Sequence, residues 1–438
     1  MRLSLLILTL FLVMFSFGQS SNGQFIKDKQ KGCLIWVASY NPSDSLTITW
    51  DGNCKNKMAE GYGTLKWYIK KNEVAKYVGD VQKGNPNGEG KFLFANGMIQ
   101  QGNFLNGTLN GQGKIIFPDT TKKIEGNFYD GEILNLDTRY LEKLQRNIIS
   151  ENDSADMYVN DRNQKELFYY ALVPPKNIKA VLVLLAGTWD RAEYVLSNNK
   201  ALTQLAYDNG IAVLVPSINQ RLTLNKEVLD FLNTVFVQAI DKYDLPKHKF
   251  IIGGFSMGGL FSLRYTELAY QDSTKTSVKP IATYSVDGPT DLENMYYSEE
   301  RALQNSPNKT EANYALNELK KHVGGTPDTC RKNYIYYSTF SNSEKDGGNA
   351  KYLYNTPVRI YNDVDVNWWL TNRNTDLYDM NALDQSALIN FLQRKGNTKA
   401  EFINAFGKGY RLDGTRHPHS WSIVEPFDCI KWLLKYSE

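Results

Sequence analysis

Two short stretches hold the residues best suited to chemistry. The first, KFIIGGFSMGGLFSLRYTELAY, runs from an apolar, β-rich segment (249–253) through Gly254-Phe255-Ser256-Met257-Gly258 into a helical pattern. A serine on such a strand-to-helix turn is pushed out at the edge of a sheet, and small neighbours are needed to avoid clashes. Ser256 is therefore the candidate nucleophile. A serine hydroxyl is a weak nucleophile at neutral pH; it needs a base, an orienting carboxylate and donors for the oxyanion. The second stretch, RHPHSWS, holds two of the four histidines of the chain, His417 and His419. A metal site would need at least three protein ligands. His248 and His322, the remaining pair, bring no second ligand at metal spacing, so no metal and no cofactor is expected.

With a nucleophile on a strand-to-helix turn, the partners are expected in the order serine, acid, histidine. TPVRIYNDVDVNWWL reads as a strand over about 357–361 followed by Asp363 and Asp365. Many enzymes of this architecture place the acid four residues past the last strand residue, and similarity to them selects Asp365, with Asp363 as runner-up and Asp287, in YSVDGPTDL, as a third choice or a turn residue. His419, directly before the final helical element, is the favoured base. His417 is a substrate contact, a packing residue or an alternative base. The oxyanion donors are the backbone N–H of Met257 and, from AVLVLLAGTWD, those of Thr188 and Gly187. Trp189, Trp368, Trp369 and His417 are candidate substrate contacts, although aromatic core packing is the commoner use of such residues.

These residues must be positioned by a scaffold. From about residue 166, apolar β-rich runs (ELFYYALVP, AVLVLLAG, GIAVLVP, KFIIGG, PIATYSV, TPVRIYN, AEFINAF) alternate with helical segments such as NKEVLDFLNTVFVQAIDKY. Such alternation predicts an α/β fold with a mainly parallel sheet. Residues 290–356 are long and Tyr-rich and read as a cap over the site. Upstream, DTRYLEKLQRNIIS has Leu141, Leu144 and Ile148 at helical spacing, so 134–165 reads as a helical connector.

Residues 50–133 repeat. Trp50-x-Gly52, Tyr77-x-Gly79, Gln100-x-Gly102 and Ile124-x-Gly126 open successive units, and Gly61-x-Gly63, Gly88-x-Gly90 and Gly111-x-Gly113 lie inside them. Each inner pair is followed by a strand-like run and then a turn such as Asn96-Gly97 or Pro118-Asp119. One β-hairpin per unit is expected, stacked on its neighbours because a lone hairpin is unstable. The N-terminus, Met1-Arg2 followed by SLLILTLFLVMFSF and GQSSNGQ, reads as a signal peptide over 1–18, which predicts export of the mature protein, with an uncleaved anchor helix as the alternative. In that oxidising setting the four cysteines predict one disulfide in each part, Cys33–Cys54 and Cys330–Cys429, with free thiols as the alternative. A net charge of +3 without a long basic run gives no sign of a nucleic-acid-binding face, and no nucleic-acid partner is expected.

YVGDVQKGNPNGEGKFLFANG and the unit after it resemble MORN repeats, which implies a module over 19–133 that docks partner proteins or lipids, or a structural spacer. GGFSMGG, LLAGTWD, PVRIYNDVD and HPHSW, in that order, make 166–438 resemble the α/β-hydrolase superfamily and its secreted esterase-like members. The resemblance implies acyl transfer to Ser256 from a small-molecule or polymer-linked ester. A peptidase of the same fold, and a binding protein that has lost catalysis, are the alternatives.

Overall fold

In a computed structural model the described residues are 23–37, 45–118, 122–150, 156–159, 166–307 and 309–437. The predicted signal peptide and Asp119 of the predicted Pro118-Asp119 turn lie outside them. The chain divides into two compact units between Asn135 and Leu136. Among the described residues no helix is long and apolar enough to cross a membrane.

The first unit is all β: β1 (Gln24–Lys27), β2 (Leu34–Val37), β3 (Leu46–Trp50), β4 (Asn53–Lys55), β5 (Met58–Ile69), β6 (Asn72–Gln82), β7 (Asn85–Phe94), β8 (Ile99–Leu105), β9 (Thr108–Ile116), β10 (Lys123–Tyr129) and β11 (Glu132–Ile133). Strands β5 to β11 follow one another as neighbours, so the repeats form one antiparallel meander. The register explains the repeat. Gly63 faces Gly79, which faces Gly90, then Gly102, Gly113 and Gly126, so a row of glycines crosses the sheet. The row leaves room for aromatic rings: a Cβ on Gly90 would lie 2.2 Å from the Tyr77 hydroxyl. Tyr77 itself is fully buried and clusters with Phe92 (ring centroids 4.7 Å) and Phe104 (5.4 Å). Two-residue turns such as Lys83-Gly84 and Asn106-Gly107 have positive φ at both positions, as twisted hairpins require. Cys33 and Cys54 form the predicted disulfide, closing a separation of 21 residues. A loop of that size stabilises by roughly 3 kcal/mol through the unfolded state.

The second unit begins with a one-turn helix, α1 (Thr138–Leu141), and then a strand, β12 (Gln145–Ser150). This corrects the predicted helical connector. Ile148 and Ile149 are β-branched, and β12 pairs antiparallel with β13 (Leu167–Leu172), so edge pairing overrides the helical spacing. There follow β14 (Ala180–Leu185), α2 (Ala192–Asn198), α3 (Lys200–Asp208), β15 (Ile211–Pro216), α4 (Lys226–Tyr243), β16 (Phe250–Phe255), α5 (Met257–Gln271) and β17 (Ala282–Val286). Helices α6 (Leu292–Asn305), α7 (Thr310–Val323) and α8 (Pro327–Tyr337) occupy the stretch read as a cap. The chain ends with β18 (Val358–Asn362), α9 (Val366–Arg373), α10 (Asn381–Arg394), β19 (Ala400–Asn404) and α11 (Pro426–Ser437). The sheet order is β12-β13-β15-β14-β16-β17-β18-β19, parallel from β15 through β19. Strands β14 to β18 are buried along their whole length, as a sheet covered on both faces requires.

The second predicted disulfide is absent: Cys330 and Cys429 are both free. Cys429 lies fully buried on α11, near Tyr361 and Tyr284, and burial pushes its thiol up to about 12. Cys330 sits in α8, where its thiol donates to the Gly324 carbonyl at 3.2 Å.

Candidate active site

The parallel sheet delivers Ser256 where its sequence context predicts. β16 ends at Phe255, α5 starts at Met257, and Ser256 between them has φ 52° and ψ −125°. The turn closes so tightly that a Cβ on Gly254 would lie 2.1 Å from the Gly258 carbonyl oxygen. A Cβ on Gly258 would lie 2.3 Å from that of Leu185. Substituting either glycine would push the elbow off the sheet. From Ile251 to Ala269 every residue except Ser256 is buried, so the serine is what the turn presents to solvent.

His419 meets a carboxylate, and it is that of Asp287. His419 Nδ1 lies 2.7 Å from Asp287 Oδ2. The predicted acid, Asp365, is a correction. It caps α9, accepting from the Trp368 N–H at 3.0 Å, and pairs with Arg416 at 2.9 Å. Asp363 also turns to Arg416, at 2.9 Å, and accepts from the Gly407 and Gly409 N–H groups. Both carboxylates are saturated without any histidine. Asp287 follows β17 directly with φ 46°, and its N–H is held by the Tyr361 carbonyl. Its other carboxylate oxygen, Oδ1, accepts from Asn362 Nδ2 at 2.7 Å and Asn381 Nδ2 at 3.2 Å. Gln385 accepts a second proton from the Asn362 amide and donates to the Gly288 carbonyl. This buried amide network fixes one carboxylate oxygen and leaves the other for the imidazole. Since the carboxylate can only accept, His419 carries its proton on Nδ1 and offers Nε2 as a base. The His419 ring also packs on Phe255, the residue before the nucleophile, at 4.4 Å between centroids. A Cβ on Gly288 would lie 2.5 Å from the Ser256 carbonyl oxygen, so the Asp287 turn abuts the elbow.

The loop after β14 flanks the serine from the other side. A Cβ on Gly187 would lie 3.2 Å from the Ser256 Cβ. Within this loop the Trp189 N–H is spent on the Asn219 carbonyl, and the Asp190 N–H on that of Gly187. The Gly187 N–H faces the Asp190 carboxylate. Among the described residues the Thr188 N–H takes no backbone acceptor, and it lies in this loop beside Met257, whose N–H opens α5 and has no intrahelical acceptor.

The aromatic candidates separate. Trp189 is exposed and reaches helix α7, its ring 4.8 Å from that of Tyr314. Trp368 and Trp369 are half-buried on α9 and pack on His417 at 4.7 and 6.0 Å. His417 is buried, and its Nδ1 lies 3.1 Å from the His419 carbonyl oxygen, to which it donates. Burial first, then the nearby Arg411, His419 and Arg373, push its pKa far down, so it stays neutral. It supports the loop that carries His419.

Several residues escaped the sequence reading. Asn362, Asn381 and Gln385 act through Asp287, and amides scattered over two elements leave no spacing signal. Asp190 turns its carboxylate to the Gly187 N–H and the Trp421 indole. Burial pushes its carboxyl up to about 6, against the pull of Arg411 and His419.

An eight-stranded, mainly parallel sheet with a serine elbow at the end of a central strand defines the second unit as an α/β-hydrolase fold. The first unit carries two matches to the MORN repeat family, at residues 77–99 and 101–122. Among solved structures, the chain is similar to an S-formylglutathione hydrolase from Agrobacterium tumefaciens (12% identity, 70% of this chain and 100% of that one, TM-score 0.42). It is also similar to esterase B from Lactobacillus rhamnosis (11% identity, 68% and 88%, TM-score 0.42). No curated protein matches by sequence.

Proposed function

We propose that this chain is an exported serine hydrolase that cleaves carboxylic esters through Ser256, His419 and Asp287, with the repeat unit as a docking module for a protein or lipid surface. The observation that carries the reading is the 2.7 Å contact between His419 and Asp287 beside the Ser256 elbow. In the first step Ser256 Oγ attacks the ester carbonyl and His419 Nε2 takes its proton. Asp287 stabilises the imidazolium through Nδ1–H. The N–H groups of Met257 and Thr188 receive the oxyanion. His419 then returns the proton to the leaving alcohol. A water molecule, deprotonated by the same nitrogen, releases the acid from the acyl-enzyme. Export is supported by the N-terminal sequence and by the Cys33–Cys54 bridge, a bond typical of oxidising compartments.

The test is intact mass after treatment with a fluorophosphonate, alongside turnover of 4-nitrophenyl acetate. One adduct on the native chain and none on Ser256→Ala is the expected result, with turnover lost in the same variant. No adduct on either protein would overturn the reading.

A further inference from the structure

Three arginines gather at the HPH turn, and their surroundings differ. Arg416 is fully engaged: Nη1 meets Asp363 and the Gly409 carbonyl, and Nη2 meets Asp365. Arg373 stands at the end of α9 and Arg411 in the loop after β19. Among the described residues neither has a carboxylate within ion-pair distance. Instead both approach one neutral ring. Arg373 Nη2 lies 3.4 Å from His417 Nε2, and Arg411 Nη2 lies 3.4 Å from His417 Nδ1. The second contact cannot be a hydrogen bond, because Nδ1 already donates to the His419 carbonyl. The other contact of Arg411 is also neutral, the Tyr194 hydroxyl. Asp190 lies in the field of Arg411 but outside ion-pair distance. A cation at the C-terminus of α9 suits the helix dipole. That accounts for an arginine at position 373; its head turns inward to donate one hydrogen bond to His417 Nε2, which engages only one of its five donors.

Two guanidiniums, five donors each, thus face a ring that can accept one hydrogen bond. The ring belongs to the residue two before the candidate base, and the imidazoles of His417 and His419 are 6.5 Å apart between centroids. Trp368 and Trp369 flank the same ring with apolar surface. The geometry points to a carboxylate subsite: Arg373 and Arg411 bind a free carboxylate carried by the ester substrate, so the enzyme acts on half-esters of dicarboxylic acids or on esters of comparable charge. The guanidinium fork matches a carboxylate in plane and in number of donors. The reading rests on the proposed hydrolase for the word ester; the cationic pair stands apart from it.

The test separates the two. The full chain carrying Ser256→Ala is titrated calorimetrically with monomethyl adipate and, separately, with the neutral dimethyl adipate. The charged half-ester should bind about tenfold tighter or more, as hydrogen bonds to charged groups imply, and the preference should shrink as salt rises. Adding Arg411→Met or Arg373→Met should remove most of that preference. Arg411→Lys, which keeps the charge, should retain part of it and guards against loss of fold in the methionine variant. Equal affinity for the two esters, or a preference that survives both methionine variants, would overturn the subsite. A preference with no fluorophosphonate adduct on the native chain would support the subsite and refute the hydrolase reading.

Discussion

Asp287→Asn is the sharpest perturbation of the proposed triad, because its effect follows from the hydrogen bonds of each atom. In the native chain Oδ1 accepts from Asn362 and Asn381, both amide donors, and Oδ2 accepts from the imidazole. The substituted amide has one oxygen, and the two donors hold it in the Oδ1 position. Its NH2 group then faces His419 Nδ1. Two donors cannot share that contact, so the imidazole shifts its proton to Nε2, the nitrogen that must accept from Ser256. The fold survives, and the base is lost together with the charge that steadies the imidazolium. The expected fall in kcat is about 10⁴-fold, near 5.5 kcal/mol of transition-state stabilisation. Turnover of 4-nitrophenyl acetate and the rate of fluorophosphonate labelling should fall together, while the circular dichroism spectrum and Tm stay close to native. Asp365→Asn is the paired control. Asparagine caps a helix as well as aspartate does, and the ion pair with Arg416 is partly exposed, so the cost should be a few-fold in rate and roughly 1 kcal/mol in stability. An Asp287→Asn enzyme within about tenfold of native, or an equal loss in Asp365→Asn, would refute the reasoning.

Three further outcomes follow from the geometry. Alkylation of the unfolded, unreduced chain should modify two thiols, Cys330 and Cys429, rising to four after reduction; alkylation of the native chain should reach Cys330 alone, since Cys429 is buried. Gly90→Ala places a Cβ 2.2 Å from the Tyr77 hydroxyl and should lower the stability of the repeat unit by about 1–3 kcal/mol, read as an earlier thermal transition. The third outcome concerns Asp190. Its folded pKa, about 6, stands above the ordinary 3.8, so the folded state holds this proton more tightly than the unfolded chain. Its contribution to stability is complete below about pH 4 and is lost as pH rises through 6. Asp190→Asn should therefore flatten the fall in stability across that window by about 3 kcal/mol relative to native, measured by denaturant titration at several pH values.

Local steric demands wrote the most legible parts of the sequence. The Ser256 elbow needs glycines at 254 and 258 whatever surrounds it, and the hairpin stack needs its glycine row, so both are visible as spacing. Alternation of apolar strands and helices showed the α/β class for the same reason. His419 was legible because histidines are scarce here. The acid was not. The His419–Asp287 contact spans 132 residues, and its rivals leave the ends of adjacent parallel strands about 5 Å apart. Which strand end reaches the imidazole is decided by tertiary placement. The apolar spacing of Leu141, Leu144 and Ile148 fits a helix, and pairing of β12 with β13 overrode it at Ile148. An even number of cysteines says nothing of distance, and a bridge needs Cα atoms within about 7 Å.

The displaced acids still serve the histidine at one remove. Arg416 directly precedes His417, and Asp363 and Asp365 grip it from the end of β18 and the start of α9. The same guanidinium donates to the Gly409 carbonyl, while Asp363 takes the Gly409 N–H. Gly409 in turn accepts from the His417 N–H. The loop carrying both histidines is thereby tied to β18 through charge-assisted bonds, largely buried at Asp363. Asn362, the last residue of that strand, meanwhile orients Asp287. One strand end therefore acts on the triad twice, through an amide that aims the carboxylate and through two carboxylates that anchor the loop of its imidazole. A carboxylate at 363 or 365 is explained by this anchoring, and the acid beside His419 comes from β17.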